Sequence, residues 1–421
     1  MHFALLGNHP DGIATAAALI ATGRFELAAF TSHLEESFLK LLGRAARRCN
    51  DLEEVLSDPQ VELVIVAGVP ANRPAQLRRA LQAERNVLVV HPADRTPEVA
   101  YEASMIQRDT GYLLLPLLTE ALHPVIARLR ELVEPNNPGT AAPLGGLVLV
   151  EMIRPPPGDA EPDDPVGARK PALPGWDVFR ALGGEIAEVS GFAARDELVT
   201  SESVLVSGRF EHGGLLQLTM TPGREGCRVV IHGAKTRADL DLPQGWGGPA
   251  FLSYADENGA REETWPAWDP WAAVCKEAEA LLRERNSASH SPGAAPSAAG
   301  PESRPRGLSW EDEIRCLELD DAARRSVERR RSSVLEYQEA SEEVGFKGTM
   351  TLVGCALMWV LLGMLLVLAL VAQGLKSTKS GLETLLPQGV QAATCVGVLF
   401  GLPLVVFLAL QLLRIFARKN P

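Results

Sequence analysis

Six residues near the start of the chain, Gly7-Asn8-His9-Pro10-Asp11-Gly12, have types and spacing suited to chemistry. They stand between a short apolar run and an Ala-rich one, where a dinucleotide fold places G-x-G-x-x-G. In that motif the first glycine makes the tight turn, and the second lets the backbone approach a pyrophosphate. The third allows close helix–strand packing, and the helix N-terminus attracts the negative charge. Gly7 and Gly12 keep the first and third positions, whereas His9 replaces the second glycine. A side chain there crowds a pyrophosphate or supplies it with a cationic or hydrogen-bonding group. The ribose-holding acid expected at the end of the second strand is absent, and the chain reads Phe30-Thr31-Ser32. Small hydroxyl residues such as Thr31 tolerate a 2′-phosphate, so neither NAD nor NADP is marked over the other. The same turn also forms with no ligand, and both readings stay open.

The elements that must position this turn follow from the hydrophobic pattern. HFALLG, FELAAFTS, VELVIVAG and NVLVVHP read as short buried strands, separated by the helical runs IATAAALIAT, LEESFLKLLGRAARR, NDLEEVLSD and RPAQLRRALQAE. Alternation of this kind predicts a doubly wound α/β domain over residues 1–125, with its ligand crevice at the carboxyl ends of parallel strands. The pattern changes near residue 145, where GLVLVEMIR, AEVSGFAARD, ESVLVSGRFE, GLLQLTMTP, CRVVIHG and RADLDLP are closely spaced strands. They predict an α+β domain with an antiparallel sheet over residues 126–345, interrupted by a low-complexity linker at 286–307. Two helices close it, one with Asp269 as N-cap and Pro270 in its first turn, the other capped by Ser309. His123-Pro124 either faces a ligand at the crevice edge or starts a helix. Trp265, Trp268 and Trp271 either stack on a sugar ring or pack a core.

Charge narrows the partners. A formal net charge of -12, from 41 Lys and Arg against 53 Asp and Glu, argues against a nucleic-acid binder. The six cysteines form no CxxC pair and no His cluster lies beside them, so neither a metal site nor a disulfide framework is expected. The tail is of another kind. Residues 350–372 and 389–413 carry no charged side chain, and each run is long enough to cross a bilayer as a helix. Residues 346–421 therefore read as a transmembrane hairpin with the lipid bilayer as partner. Lys347, Arg414, Arg418 and Lys419 on the flanks, against Lys376, Lys379 and Glu383 in the loop, predict both termini on the cytoplasmic side. The chain opens on MHFALLG without a basic flank or cleavage site, which predicts no secretory signal.

The order of these segments resembles the glucose–fructose oxidoreductase, inositol dehydrogenase and MocA family (Gfo/Idh/MocA) from residue 1 to about residue 336. DLEEVLSDPQVELVIVAGVPANRPAQLRRALQAERNVLVVHP, PLGGLVLVEMIR, GWDVFRALGGEIAEVSGFA, CRVVIHGAKTRADLDLP and the two closing helices carry the likeness. The resemblance implies hydride transfer between NAD or NADP and a sugar, polyol or related hydroxyl. It also implies a homo-oligomer through the sheet domain. The family's Glu-Lys-Pro position reads Val90-His91-Pro92, and its helical Asp–His element keeps Asp177 but has Pro174 for the histidine. His91 and Asp177 are thus the candidate catalytic pair. Gly7, Asn8, His9, Gly12, Thr31, Ala67, Gly68 and Pro70 are the candidate cofactor-binding residues, and Arg73 falls near a usual histidine. With several motif positions altered, two functions remain. One is a membrane-tethered NAD(P)-dependent oxidoreductase, and the other is a non-catalytic membrane-anchored derivative that binds a ligand or partner.

Overall fold

The computed structural model describes residues 1–31, 46–94, 96–134, 142–156, 172–194, 203–256, 259–289, 308–329 and 333–334. Most of the expected helix LEESFLKLLGRAARR, most of the proline-rich loop before Asp177 and the two apolar tail runs lie outside these residues, and the end of that helical run is corrected, since Arg47 and Arg48 form part of a strand, Arg47–Cys49. Among the described residues no helix is long and apolar enough to cross a membrane.

The first sheet has the order β3-β2-β1-β4-β5-β6, all parallel. Its strands are β1 (His2–Gly7), β2 (Glu26–Thr31), β3 (Arg47–Cys49), β4 (Val61–Ala67), β5 (Asn86–Val89) and β6 (Leu114–Pro116). β4 is buried at six of its seven residues, as a parallel strand covered by helices on both faces must be. The strand order reverses between β1 and β4, and the crevice opens at their carboxyl ends. One face is covered by α1 (Pro10–Ala21); α2 (Leu52–Leu56), α3 (Arg73–Gln82) and α4 (Pro97–Thr110) pack on the other. Asp51 caps α2 by accepting the Glu54 N–H at 2.8 Å.

After α5 (Pro124–Val133) the chain builds a nine-stranded sheet in the order β14-β13-β12-β11-β7-β10-β9-β8-β15. Its strands are β7 (Leu147–Arg154), β8 (Ile186–Ala193), β9 (Val204–Phe210), β10 (Leu215–Met220), β11 (Cys227–Gly233), β12 (Arg237–Leu242), β13 (Ala250–Asp256), β14 (Gly259–Trp265) and β15 (Ser333–Val334). The expectation of an antiparallel sheet is corrected at its centre, where β7 and β10 run parallel and the sheet is mixed. The cause is the long connection through α6 (Trp176–Gly183), which lets β7 receive β10 rather than its sequence neighbour β8. Val150, Met152, Val206, Leu218, Val229, Ile231 and Leu240 line its inner face against α5 and α6.

The last two helices also correct the domain boundary. α7 (Pro270–Ser289) runs into the segment read as a linker, and its Val274, Cys275, Ala278 and Leu282 lie in the same core as Phe3 and Leu5. It therefore belongs with the first sheet rather than the second. α8 (Trp310–Arg329) spans both halves. Trp310, Ile314 and Leu317 pack on the first sheet, while Cys316, Leu319, Ala322 and Ala323 join the core of the second. The expected caps form, with Ser309 Oγ accepting from the Asp312 N–H at 3.2 Å and Asp269 accepting from the Trp271 N–H at 3.0 Å.

Candidate functional site

The turn after β1 is built by packing. Gly7 has φ +113°, and a Cβ there would lie 2.1 Å from the Ala67 carbonyl oxygen. Gly12 lets α1 sit against the end of β4, where an added Cβ would lie 2.2 Å from the Ala67 Cβ. Both glycines thus play the turn and close-packing roles expected of them. His9 is the N-cap of α1: its Nδ1 accepts from the Asp11 N–H at 3.2 Å, and its own N–H donates to Ala67 O at 3.1 Å. Pro10 brings no N–H to the first helical turn, and the Asp11 carboxylate stands 3.8 Å from His9 Nδ1. A diphosphate seeking this helix end competes with the imidazole for the Asp11 N–H and meets an acidic side chain. Asn8 is exposed beside it, and Thr31 ends β2 half-buried.

The other strand ends converge. Ala67 ends β4, and the turn through Gly68 and Pro70 leads to Arg73 at the start of α3. Arg73 is buried; its Nε donates to Gly68 O at 2.7 Å and its Nη1 to Pro92 O at 3.2 Å. It thus ties together the segments that follow β4 and β5. His91 follows β5, joined to Pro92 by a cis peptide bond.

His91 meets a partner from the far end of the chain. Its Nδ1 lies 2.7 Å from Glu313 Oε2 on α8, and the other carboxylate oxygen accepts the Ala93 N–H at 2.8 Å. The Glu313 side chain is fully buried, while that of His91 keeps 18% of its surface open. Among the described residues His91 Nε2 has no hydrogen-bond partner, which leaves that nitrogen for a ligand. Burial works against the charged imidazolium, but the Glu313 carboxylate outweighs it, and the net result holds His91 above the usual histidine range.

Asp177, in the first turn of α6, is buried and accepts the Ala121 N–H at 3.0 Å. Burial, with the Glu120 carboxylate adding to it, pushes its carboxyl up to about 6. The His91 imidazolium acts in the opposite sense. The folded chain holds the Asp177 proton more tightly than the unfolded chain does. This carboxyl therefore costs stability as the pH rises from about 4 through about 6, at most about 3 kcal/mol at pH 8. Asp177→Asn is expected to stabilise the fold at pH 8 and to lose that advantage by pH 4, measured by urea unfolding at the two values. An equal effect at both values would contradict the burial account.

The remaining polar groups hold this arrangement. Arg154 on β7 donates to both Glu120 oxygens at 2.9 Å, and Asp320 on α8 accepts the Leu173 N–H at 2.8 Å. His123 is buried and caps α5, with Nδ1 accepting the Val125 N–H at 3.1 Å. Burial lowers its imidazole to about 4, so it is neutral, and the rings of Trp246 and Trp268 pack against it. Helix start is thus the role the structure gives to His123-Pro124. Glu313 and the Arg154–Glu120 pair are the site residues that sequence reasoning missed. Glu313 stands in an acidic first helical turn, where carboxylates are common for electrostatic reasons alone. Chemically, the arrangement offers two proton-handling groups of opposite type beside a crevice at parallel strand ends.

No family model matches the chain. It is 30% identical over 134 residues to YhhX, an uncharacterised oxidoreductase of Escherichia coli; that match covers 32% of this chain and 35% of the relative, about a third of each. An Agrobacterium radiobacter oxidoreductase, solved with NAD+, L-tartaric acid and magnesium, superposes with a TM-score of 0.60 at 15% identity, covering 79% of this chain and 98% of the other. A myo-inositol dehydrogenase of Corynebacterium glutamicum superposes with a TM-score of 0.57 at 17% identity, covering 80% and 99%. The chain therefore shares the two-domain fold of these oxidoreductases, a Rossmann-like α/β domain joined to a domain built on a mixed sheet.

Proposed function

We propose that this chain is a membrane-tethered NAD(P)-dependent oxidoreductase acting on a hydroxyl of a sugar, polyol or related compound. The observation that carries this reading is that His91 follows β5 while Asp177 accepts the N–H of Ala121, a few residues past the end of the neighbouring strand β6, so both side chains belong to the carboxyl end of the parallel sheet. The NAD+ held by the Agrobacterium neighbour and the polyol named for the Corynebacterium one support the cofactor and substrate classes. Gly7, Gly12 and the Ala67–Gly68–Pro70 strand end would hold the dinucleotide, with Asn8, His9 and Thr31 at its margins. When bound, nicotinamide supplies the hydride acceptor. His91 Nε2 takes the hydroxyl proton as the carbonyl forms and returns it in the reverse direction. Because Glu313 favours the imidazolium, His91 keeps its acid form to higher pH than a free histidine does. Carbonyl reduction is therefore expected to run best at lower pH than alcohol oxidation. A polyol panel assayed in both directions across pH tests this, and identical profiles would count against His91 as the proton carrier.

The His9 cap favours a second reading, a non-catalytic derivative of the same fold that binds a ligand or partner at the membrane. Calorimetric titration separates the two. His9→Gly frees the Asp11 N–H and is expected to tighten NAD(H) or NADP(H) binding about 5- to 10-fold, the worth of one hydrogen bond. If neither the natural chain nor this variant binds either nucleotide, the oxidoreductase reading falls. The tether rests on the uncharged runs at 350–372 and 389–413 and is tested by whether the full chain stays with membranes through an alkaline carbonate wash. A homo-oligomer through the second sheet is supported by its outer face, where Phe192, Leu205, Leu215 and Phe251 are exposed.

A further inference from the structure

Three groups outside the expected motif residues draw notice: the His123–Trp246–Trp268 cluster, the outer face of the second sheet, and the Glu313 carboxylate. The aromatic cluster is occupied in capping α5, and the sheet face belongs to the assembly already proposed. Glu313 is different. A fully buried carboxylate is costly unless paired and hydrogen-bonded, and a helix face packed on a sheet has no structural need of one. Both of its oxygens are spent on one turn. One takes His91 Nδ1 at 2.7 Å, and the other takes the Ala93 N–H two residues along, at 2.8 Å. This two-point hold fixes the ring's position and its hydrogen-bond polarity together. A carboxylate only accepts, so Nδ1 must carry a hydrogen in either protonation state.

We propose that Glu313 is the positioning residue of His91, imposing the Nδ1–H tautomer on the neutral imidazole and presenting Nε2, with its lone pair, to the ligand in the crevice. The inference rests on the oxidoreductase reading for the identity of that ligand, but not for the tautomer. In the oxidation direction Nε2 would take the substrate O–H proton, and nicotinamide, when bound, would supply the acceptor for the hydride. The imidazolium so formed keeps its Nδ1–H on Glu313, and no other proton carrier is needed. Among the described residues, the charged groups that bear most on His91 are Glu313 and Asp320 from α8 and Asp177 from α6, all acidic. Glu313 alone of these three makes the direct bond to the ring.

The test uses the full chain with 15N-labelled histidine, assigned by comparison with His91→Gln. Above its titration, His91 is expected to show a protonated Nδ1 and a bare Nε2, the less common tautomer of free histidine. A protonated Nε2 in the natural chain overturns the proposal without any variant having to fold. In Glu313→Gln, whose amide oxygen still accepts one hydrogen bond, the His91 titration is expected to fall by at least one pH unit. The limb of the kcat/KM profile that follows it should move by the same amount, which a purely structural role would not produce. A His91 titration unmoved in a folded Glu313→Gln chain also overturns the proposal. A shifted titration with no nicotinamide-linked turnover in either chain upholds Glu313 and removes the oxidoreductase reading instead.

Discussion

Replacing His91 with alanine is expected to destabilise the chain by about 3 kcal/mol or more and to abolish turnover, because it removes one side of a buried ion pair and leaves the other in place. Glu313 has no exposed surface in the native structure, and without the imidazole its remaining hydrogen-bond partner among the described residues would be the Ala93 N–H. Burying that carboxylate without a cation carries most of its desolvation cost, which the alanine side chain cannot offset. The estimate stands at the lower end of the usual range for broken buried pairs, since the His91 side chain keeps 18% of its surface open and water can enter. The sign of the pH dependence follows from the histidine. Its folded-state value is raised above 6.5, so the pair's contribution is full below about pH 6.5 and fades as the pH climbs through the raised value. Urea unfolding of the natural chain and of His91→Ala should therefore differ most at pH 6 and least at pH 9. His91→Lys restores a cation at the same position and is expected to recover most of the stability. A lysine variant as unstable as alanine would show that ring packing, and not charge, dominates.

Gly7→Ala is expected to cost at least about 3 kcal/mol, through two effects acting together. The residue sits at φ +113°, a conformation that side chains rarely adopt, and its Cβ would fall 2.1 Å from Ala67 O and 2.4 Å from Gly68 N. Those neighbours are backbone atoms of the adjacent strand and its turn, and no rotamer change relieves them. The strand end would have to move, taking with it the Ala67 carbonyl that holds the His9 N–H at 3.1 Å. Gly23→Ala is the control. It also has positive φ, at +69°, but nothing lies within 4 Å of its added Cβ, so only the conformational cost of about 1 kcal/mol applies. Comparable losses in the two variants, read from denaturation midpoints, would mean that the β1–β4 close approach is not the constraint described.

The doubly wound half was legible in the sequence because each inner strand is a nearly unbroken apolar run closed by turn residues. VELVIVA is the clearest case, and its six buried positions match that pattern. The hairpin of β13 and β14 was not anticipated. GAREETW has no apolar alternation, and none of its residues is buried, so nothing in the pattern separates it from a loop. The β7–β10 pair escaped for a different reason. Strand signals say where a strand is but not which neighbour it takes, and sequence-adjacent pairing is a default that this chain breaks at its centre. At the site, His91 and Asp177 were found through their places in a resembling motif. Their partner was not, because Glu313 lies 222 residues beyond His91 and carries no local mark. The carboxylate that the motif would place before the lysine is replaced by Val90, and an acid reaches the same strand end from α8.

The packing of α7 on the first sheet has a consequence for the order in which the chain can fold. Phe3 and Leu5 share a core with Val274, Cys275 and Leu282, so one face of the earliest strands has no complete cover until some 280 residues have been synthesised. Closing that contact spans most of the described chain, and β7 to β14 of the second sheet are all synthesised before α7. The nascent α/β half therefore carries an unfinished apolar face through most of translation, a state that invites chaperone binding or misassembly. A ribosome-bound chain halted shortly before Pro270 should remain protease-sensitive in β1 and α1, and one extended past α7 should become resistant there.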